Sequence, residues 1–164
     1  MIEIRNAVEK DLPVMLEIYN DIIVNTTAVW DHKPHTLEMR QKWFADKKDL
    51  GHPVFVAIEN GVIVGFSTFG VFRTWSGYRF TAENSVYVKS DCRGRGIGKL
   101  LMPPVITAAK EFGLHALVAG IDADNESSIA LHQKFGFEKV AHFKQVGFKF
   151  DRWLDLVFME LIVT

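Results

Sequence analysis

The residues Arg93-Gly94-Arg95-Gly96-Ile97-Gly98-Lys99 carry the strongest chemical signal in the chain. An apolar alternating run, Ser85-Val86-Tyr87-Val88, leads into them, and a helix-like segment begins near Lys99. A glycine-rich turn from strand to helix gathers backbone N–H groups around one point at the positive end of the helix dipole, which suits a phosphate. The spacing then sorts the phosphate ligands. A dinucleotide pattern G-x-G-x-x-G starting at Gly94 needs glycine where Lys99 stands. A P-loop ending at Gly98-Lys99 needs glycine in place of Arg93 and Ser or Thr in place of Leu100. Both nucleotide readings fail at positions that carry the mechanism. What remains is an anion loop of another kind, or a solvated basic turn.

Two titratable residues stand near this loop in the expected layout. Glu83 lies on the strand that enters it, and is either a positioned base or an outward, solvated residue. His132 lies on a helix beginning at Asn125, next to Leu131, where a structural role competes with a catalytic one. Cys92, just before the loop, has only arginines nearby and no base to activate it, which disfavours a nucleophilic thiol.

The elements that must position these residues follow from periodicity and punctuation. Ile2 to Asn6 alternates as a strand, and Asp11-Leu12-Pro13 opens a helix with Asp11 as cap and proline in the first turn. Leu12, Met15, Leu16, Ile18, Tyr19, Ile22 and Ile23 then recur at helical spacing. Asn25 to Pro34 is a loop, and Thr36 caps a second helix to about Leu50. Pro53 to Glu59 is a strand, joined through the hairpin signal Asn60-Gly61 to Val62–Phe72. Arg73 to Arg79 is an aromatic and basic loop, and Thr81 to Val88 is the strand before the glycines. A helix to about Phe112, a strand Leu117–Asp122, a helix Asn125–Phe135 ended by Gly136, and two strands, Val140–Phe148 and Trp153–Leu161, complete the chain. This is an α/β (α+β) chain: a mixed sheet of about seven strands flanked by four helices. Pro103-Pro104 conflicts with the helix after the glycine loop, and predicts a kink or a later start.

At 164 residues the chain is expected to form one domain, 1–164, large enough to bury a core without staples. Hydrophobic residues at 48% and charged residues at 24% give an ordinary globular balance. A net charge of -1 points away from wholesale binding to nucleic acid or an anionic membrane. The single cysteine excludes an intramolecular disulfide, and no apolar run approaches membrane-spanning length, so a cytoplasmic location is expected. The six histidines lack i, i+4 spacing, and no metal is expected.

The glycine loop fits (R/Q)-x-x-G-x-(G/A) and closely resembles the pyrophosphate loop of the acetyl-coenzyme A-dependent N-acetyltransferases of the GNAT superfamily. Asn125, Ala130, His132 and Phe135-Gly136-Phe137 resemble a second motif of that superfamily, with His132 where most members have tyrosine. The phosphinothricin and methionine sulfoximine acetyltransferase-like branch has histidine there, together with a glutamate strand similar to Glu83-Asn84-Ser85-Val86-Tyr87-Val88. Ile18-Tyr19-Asn20, Asn25 to Trp30, Gln145 to Lys149 and Arg152 to Asp155 extend the likeness over nearly the whole chain.

This resemblance implies the GNAT fold and direct transfer of an acetyl group from acetyl-CoA to the α-amine of a small amino-acid analogue. At neutral pH only a minority of an amine of pKa near 8 is free base, so a positioned proton acceptor contributes roughly 10²–10⁴-fold. The resemblance makes Glu83 the base and His132 its partner in proton handling. Val86, Tyr87 and Val88 would bind the thioester arm; Gly94, Arg95, Gly96, Ile97, Gly98 and Lys99 the pyrophosphate, with Arg93 as a charged supplement. Asn125 would bond the pantetheine while capping its helix. Trp30, Arg73, Thr74, Trp75, Glu83, Asn84 and Ser85 would form the acceptor pocket, although both tryptophans suit core packing equally well. Phosphinothricin enzymes have a second basic residue where this chain has Trp75, which favours methionine sulfone or sulfoximine here. Other amine acceptors and a non-catalytic acyl-CoA-binding module are the competing readings; the joint presence of Glu83 and His132 argues against the module. The branch commonly forms homodimers, and Phe143, Phe148, Phe150 and Trp153 crowd the last strands as interface or core.

Overall fold

The computed structural model describes residues 1–164 and resolves the two periodicities into seven strands and four helices. In chain order these are β1 (Ile2–Asn6), α1 (Leu12–Asn25), α2 (Leu37–Asp49), β2 (Val54–Glu59), β3 (Val62–Val71), β4 (Thr81–Val88), α3 (Ile97–Glu111), β5 (Ala116–Asp122), α4 (Glu126–Lys134), β6 (Glu138–Lys149) and β7 (Arg152–Ile162). One sheet holds all seven strands in the order β1-β2-β3-β4-β5-β7-β6. Every neighbouring pair is antiparallel except β4 with β5. Asn60 and Gly61 turn β2 into β3 with positive φ values of 51° and 79°, the left-handed geometry that a two-residue hairpin demands.

The parallel pair is short. Thr81, Ala82 and Glu83 face Ala116, Leu117 and Val118, and beyond Glu83 the two strands part. On its other side β4 stays paired with β3 through Val88. The edge of β4 from Asn84 onward therefore has no strand beside it, and a wedge-shaped gap opens towards the glycine loop.

Two apolar layers sandwich the sheet. Met102, Val105, Leu117, Val157 and Met159 form the core between α3 and the sheet, while Leu12, Met15, Ile22, Phe44, Val56 and Phe66 form the core under α1 and α2. Thr36 caps α2 by accepting from the Met39 N–H at 3.2 Å, as its sequence position predicts. Asp11 does not cap α1. Its carboxylate accepts instead from both Arg5 guanidinium nitrogens, at 2.7 and 2.9 Å, and from the Val8 N–H at 2.8 Å, so it ties β1 to the turn before α1. Neither does Pro103-Pro104 delay α3, which begins at Ile97 and runs through both prolines. Their missing donors would have met the carbonyls of Lys99 and Leu100, both exposed residues whose oxygens water can satisfy.

A single buried lysine joins the C-terminal hairpin to the end of α1. Lys149 on β6 is 2% exposed, and its Nζ donates to the carbonyls of Ile23, Thr26 and Val29 at 2.5, 2.7 and 2.6 Å. All three ammonium donors are used on backbone oxygens left over where a helix ends. Gly147, two residues earlier, lies under the Trp30 ring, where a Cβ would come within 2.4 Å of the indole. Lys149→Met should leave those carbonyls unpaired and destabilise the protein by roughly 3 kcal/mol. Urea unfolding of the two proteins measures the loss directly, and an unchanged midpoint would contradict it.

Candidate active site

The gap between β4 and β5 opens into a cleft of about 980 Å³. Its walls are β4 from Glu83 to Val88, the glycine loop with the start of α3, the exposed side of α4, and the Thr26–Val29 segment that Lys149 holds. The Thr27 hydroxyl also donates to the Asp122 carboxylate at the end of β5, closing the wall from the far side.

At the base of the cleft the glycines do what their spacing predicts. Gly94 and Gly96 adopt φ values of 75° and 83°, a conformation that side chains rarely tolerate, and a Cβ on either would meet nothing within 4 Å. Gly96 is the N-cap residue of α3 and no side chain caps that helix; the Lys99 N–H donates to the Gly96 carbonyl at 3.0 Å, while those of Ile97 and Gly98 remain for an anion. Gly98 lets α3 approach α4, because a Cβ there would come within 3.0 Å of Leu131. Arg93 and Lys99 line the cleft, with Arg93 Nε donating to the Val88 carbonyl at 3.2 Å. Arg95 departs from its expected place: its guanidinium pairs with Glu59 at 2.6 Å and its side chain does not line the cleft. Cys92 does line it, but burial raises its thiol pKa, which makes it an inert wall rather than a nucleophile. The free edge of β4, an uncapped helix start and a left-handed glycine turn together fit a ligand with a pyrophosphate and an amide-bearing arm. Asn125 meets that arm's expected path while its Oδ1 accepts from the Ser128 N–H at 3.2 Å, capping α4.

Glu83 and His132 both line the cleft, yet they are not partners. Alternation along β4 sends Glu83 to one face and Asn84 to the other. His132 meets Asn84: its Nε2 lies 3.1 Å from the Asn84 amide nitrogen, and its Nδ1 lies 2.7 Å from the Ser128 carbonyl. The carbonyl can only accept and the amide nitrogen can only donate, so the ring is neutral with its proton on Nδ1. Burial lowers its pKa further, and neither nitrogen is left for an incoming proton. The expected pairing of His132 with Glu83 gives way to a ring that orients Asn84. Burial raises the Glu83 pKa, and the Gly120 N–H and the Arg73 charge offset part of that rise. A Cβ on Gly120 would come within 3.0 Å of Glu83 Oε1, so a glycine in the middle of β5 makes the room. That glycine interrupts an apolar strand, the sequence signal of a close approach.

A second cavity of about 350 Å³ lies under α2 and shares Glu83, Ser85 and Tyr87 with the cleft. Trp30, Arg73, Thr74 and Trp75 line neither space. Trp30 donates from Nε1 to the Thr27 carbonyl at 2.8 Å and packs on Gly147, while Arg73, Thr74 and Trp75 sit on an exposed loop. Of the four, Arg73 alone acts on Glu83, through its charge.

Residues 4–158 match the family of the acetyltransferase (GNAT) domain. The chain belongs to the GNAT acetyltransferases. It is 46% identical over 159 residues to the L-methionine sulfoximine/L-methionine sulfone acetyltransferase of Pseudomonas aeruginosa, covering 96% of this chain and 92% of that one. The phosphinothricin N-acetyltransferase of Streptomyces coelicolor is 34% identical over 167 residues, 97% of this chain and 95% of that one. A Salmonella typhimurium protein described as an acetyltransferase, solved with acetyl-CoA, superposes with a TM-score of 0.98 at 41% identity, covering 99% of this chain and 94% of that one. The mixed sheet with four helices is thus the GNAT fold, and this GNAT chain is an acetyl-CoA-dependent N-acetyltransferase. In this GNAT site the His132 ring should give the ¹⁵N shifts of a neutral imidazole protonated at Nδ1, and hold them below the pH at which an ordinary histidine titrates. An imidazolium signal at neutral pH would overturn the arrangement.

Proposed function

We propose that the protein acetylates the α-amine of a small amino-acid analogue, methionine sulfoximine or methionine sulfone, with Glu83 as the general base. The observation that carries this reading is the position of Glu83, a partly buried carboxylate shared by the cofactor cleft and the second cavity. A thioester entering along β4 and an amine entering from the cavity would meet beside it.

Bound acetyl-CoA supplies the acetyl group in activated form. Glu83 takes one proton from the acceptor ammonium, directly or through a water. The freed amine attacks the thioester carbonyl carbon, the N–C bond forms as the C–S bond breaks, and the departing thiolate takes up a proton. Backbone N–H groups on the free edge of β4 would polarise the carbonyl oxygen. Asn84, oriented by His132, lines the same cleft and would steady the arm. Gly94 to Lys99 would hold the pyrophosphate through the backbone, with the Arg93 guanidinium beside them.

The acceptor assignment is supported by the activity of the relative at 46% identity, an L-methionine sulfoximine/L-methionine sulfone acetyltransferase. No helix is long and apolar enough to cross a membrane, and the one cysteine is a free thiol, which supports a cytoplasmic location. Phe143, Val146, Phe148 and Trp153 are exposed on the C-terminal hairpin, which supports a dimer formed through that face. Sedimentation velocity should give twice the mass of one chain, and Trp153→Glu should shift the protein towards the monomer. A wild-type monomer would remove the dimer from the reading.

Thiol release from acetyl-CoA should be fast with methionine sulfoximine and sulfone and slower with phosphinothricin. Glu83→Gln should lower kcat by roughly 10²–10⁴-fold while leaving acetyl-CoA binding intact. The base must be ionised, and its pKa is raised. The acidic limb of kcat/KM should therefore fall at a higher pH than an ordinary glutamate would set, and vanish in the variant. Full activity in Glu83→Gln would sink the assignment of the base, and a clear preference for phosphinothricin would sink that of the acceptor.

A further inference from the structure

The second cavity contains a cation without a counter-ion. Arg40 on α2 is 4% exposed, and its Cζ lies 4.2 Å from the Tyr19 ring centroid and 4.5 Å from that of Trp43. Its Nε has no hydrogen-bond partner. None of the ion pairs of the chain includes it. The hydroxyls of Tyr19 and Tyr87 lie within its electrostatic reach. Burial raises the Tyr19 pKa and pushes that of Tyr87 up to about 12, so neither is a phenolate.

Buried charges in folded proteins are normally paired, because a cation removed from water loses several kcal/mol of solvation. Two aromatic rings return roughly 0.5–2 kcal/mol each. They fix the plane of the guanidinium; of its five N–H donors one is directed to the neutral Tyr19 hydroxyl, and the rest of its edge has no side-chain partner. Apart from Glu83 at its boundary, the opening onto which Arg40 faces is cationic or neutral. Lys47 lies about two turns along the same helix, also on the cavity, with its Nζ 2.5 Å from the Phe69 carbonyl. His35 is held by Asp31 at 2.7 Å, and Glu83, at the boundary with the cleft, is the carboxylate of the lining.

We propose that Arg40 is the anchor for a paired-oxygen group of the acceptor, bound through the guanidinium edge inside the cavity under α2. Two groups of the acceptor have that chemistry, the α-carboxylate and the two sulfonyl oxygens of a sulfone tail (in the sulfoximine, one oxygen and the lone pair of the imine nitrogen), and both match the planar fork. The inference deepens the reading of the acceptor and rests on it: the amine lies at Glu83, where cavity and cleft meet, and the oxygens extend towards Arg40. The same arrangement explains why the acceptor loop Arg73-Thr74-Trp75 lies outside both spaces. α2, beneath the sheet face, thereby adds a recognition element of its own.

The test compares acceptors that differ only in oxygens. Methionine sulfone against methionine reports the tail, and methionine sulfone against its carboxamide reports the carboxylate. A site whose buried donors go unpaired in the lesser analogue should discriminate by roughly 10²-fold or more in kcat/KM. In Arg40→Met one of the two ratios should collapse towards unity, with acetyl-CoA affinity unchanged. Collapse of the first ratio places the tail oxygens on Arg40, and collapse of the second places the carboxylate there. Arg40→Lys, which keeps the charge and loses the fork, should recover only part. Should the Met variant fail to fold, the wild type supplies the answer: methionine sulfone should shift the Arg40 Nε–H resonance in a ¹H–¹⁵N spectrum. Turnover by the wild type with that resonance unmoved, or with both ratios unaltered in Arg40→Met, overturns the anchor alone. No turnover on any of these amines overturns the acceptor reading and the anchor with it.

Discussion

The pairing of β4 with β5 stops after three residues, and the rest of the site depends on that stop. Had the parallel ladder continued, the backbone groups of β4 beyond Glu83 would be consumed and the cleft would be filled by a strand. Instead they remain unpaired along a polar edge inside the molecule, an arrangement that is costly unless water or a ligand meets it. The sheet sustains the gap because β4 is held on its other side by β3, and β5 by β7 over its whole length. Each strand is anchored by an antiparallel neighbour, so neither needs the other.

Strand alternation then divides the labour at the gap. One face of β4 presents Glu83, Ser85 and Tyr87 to α1 and α2, and the other presents Asn84 and Val86 to α3 and α4. In the proposed reading, proton chemistry and acceptor recognition fall on the first face. The second face is built from neutral hydrogen bonds, with His132 fixed in one tautomer between Asn84 and Ser128. Glu83 and His132 are thereby directed to opposite faces of one strand, and the imidazole makes its hydrogen bonds away from the carboxylate.

Much of this was legible in the sequence, and the parts that were not share a physical cause. Strands, helices, the Asn60-Gly61 hairpin and the Thr36 cap are local signals, and they matched the structure within one or two residues at most ends. The glycine loop was readable because a left-handed backbone demands a specific residue at a specific place. The partners of polar side chains were not, since they lie far apart in the chain. Arg95 turned to Glu59 on another strand, Asp11 to Arg5, and His132 across to Asn84. Arg40 read as one more charge on a polar helix, and only the packing of α2 on the sheet shows that it is enclosed by Tyr19 and Trp43. Pro103-Pro104 does not postpone the start of α3, because the carbonyls that the prolines deprive belong to exposed residues.

The Lys149 ammonium also has a meaning in time. It fastens the segment after α1 to a strand more than a hundred residues later in the chain. During synthesis the glycine loop, β4 and α1 can all be in place while one wall of the cleft is still missing. Beside the Thr27–Asp122 bond, that wall gains its second fastening only when the final hairpin is present and a charged side chain is drawn out of water onto three carbonyls. The binding cleft therefore has its full set of walls only once the last strand pair is in place, so its closure is coupled to the docking of the C-terminal hairpin.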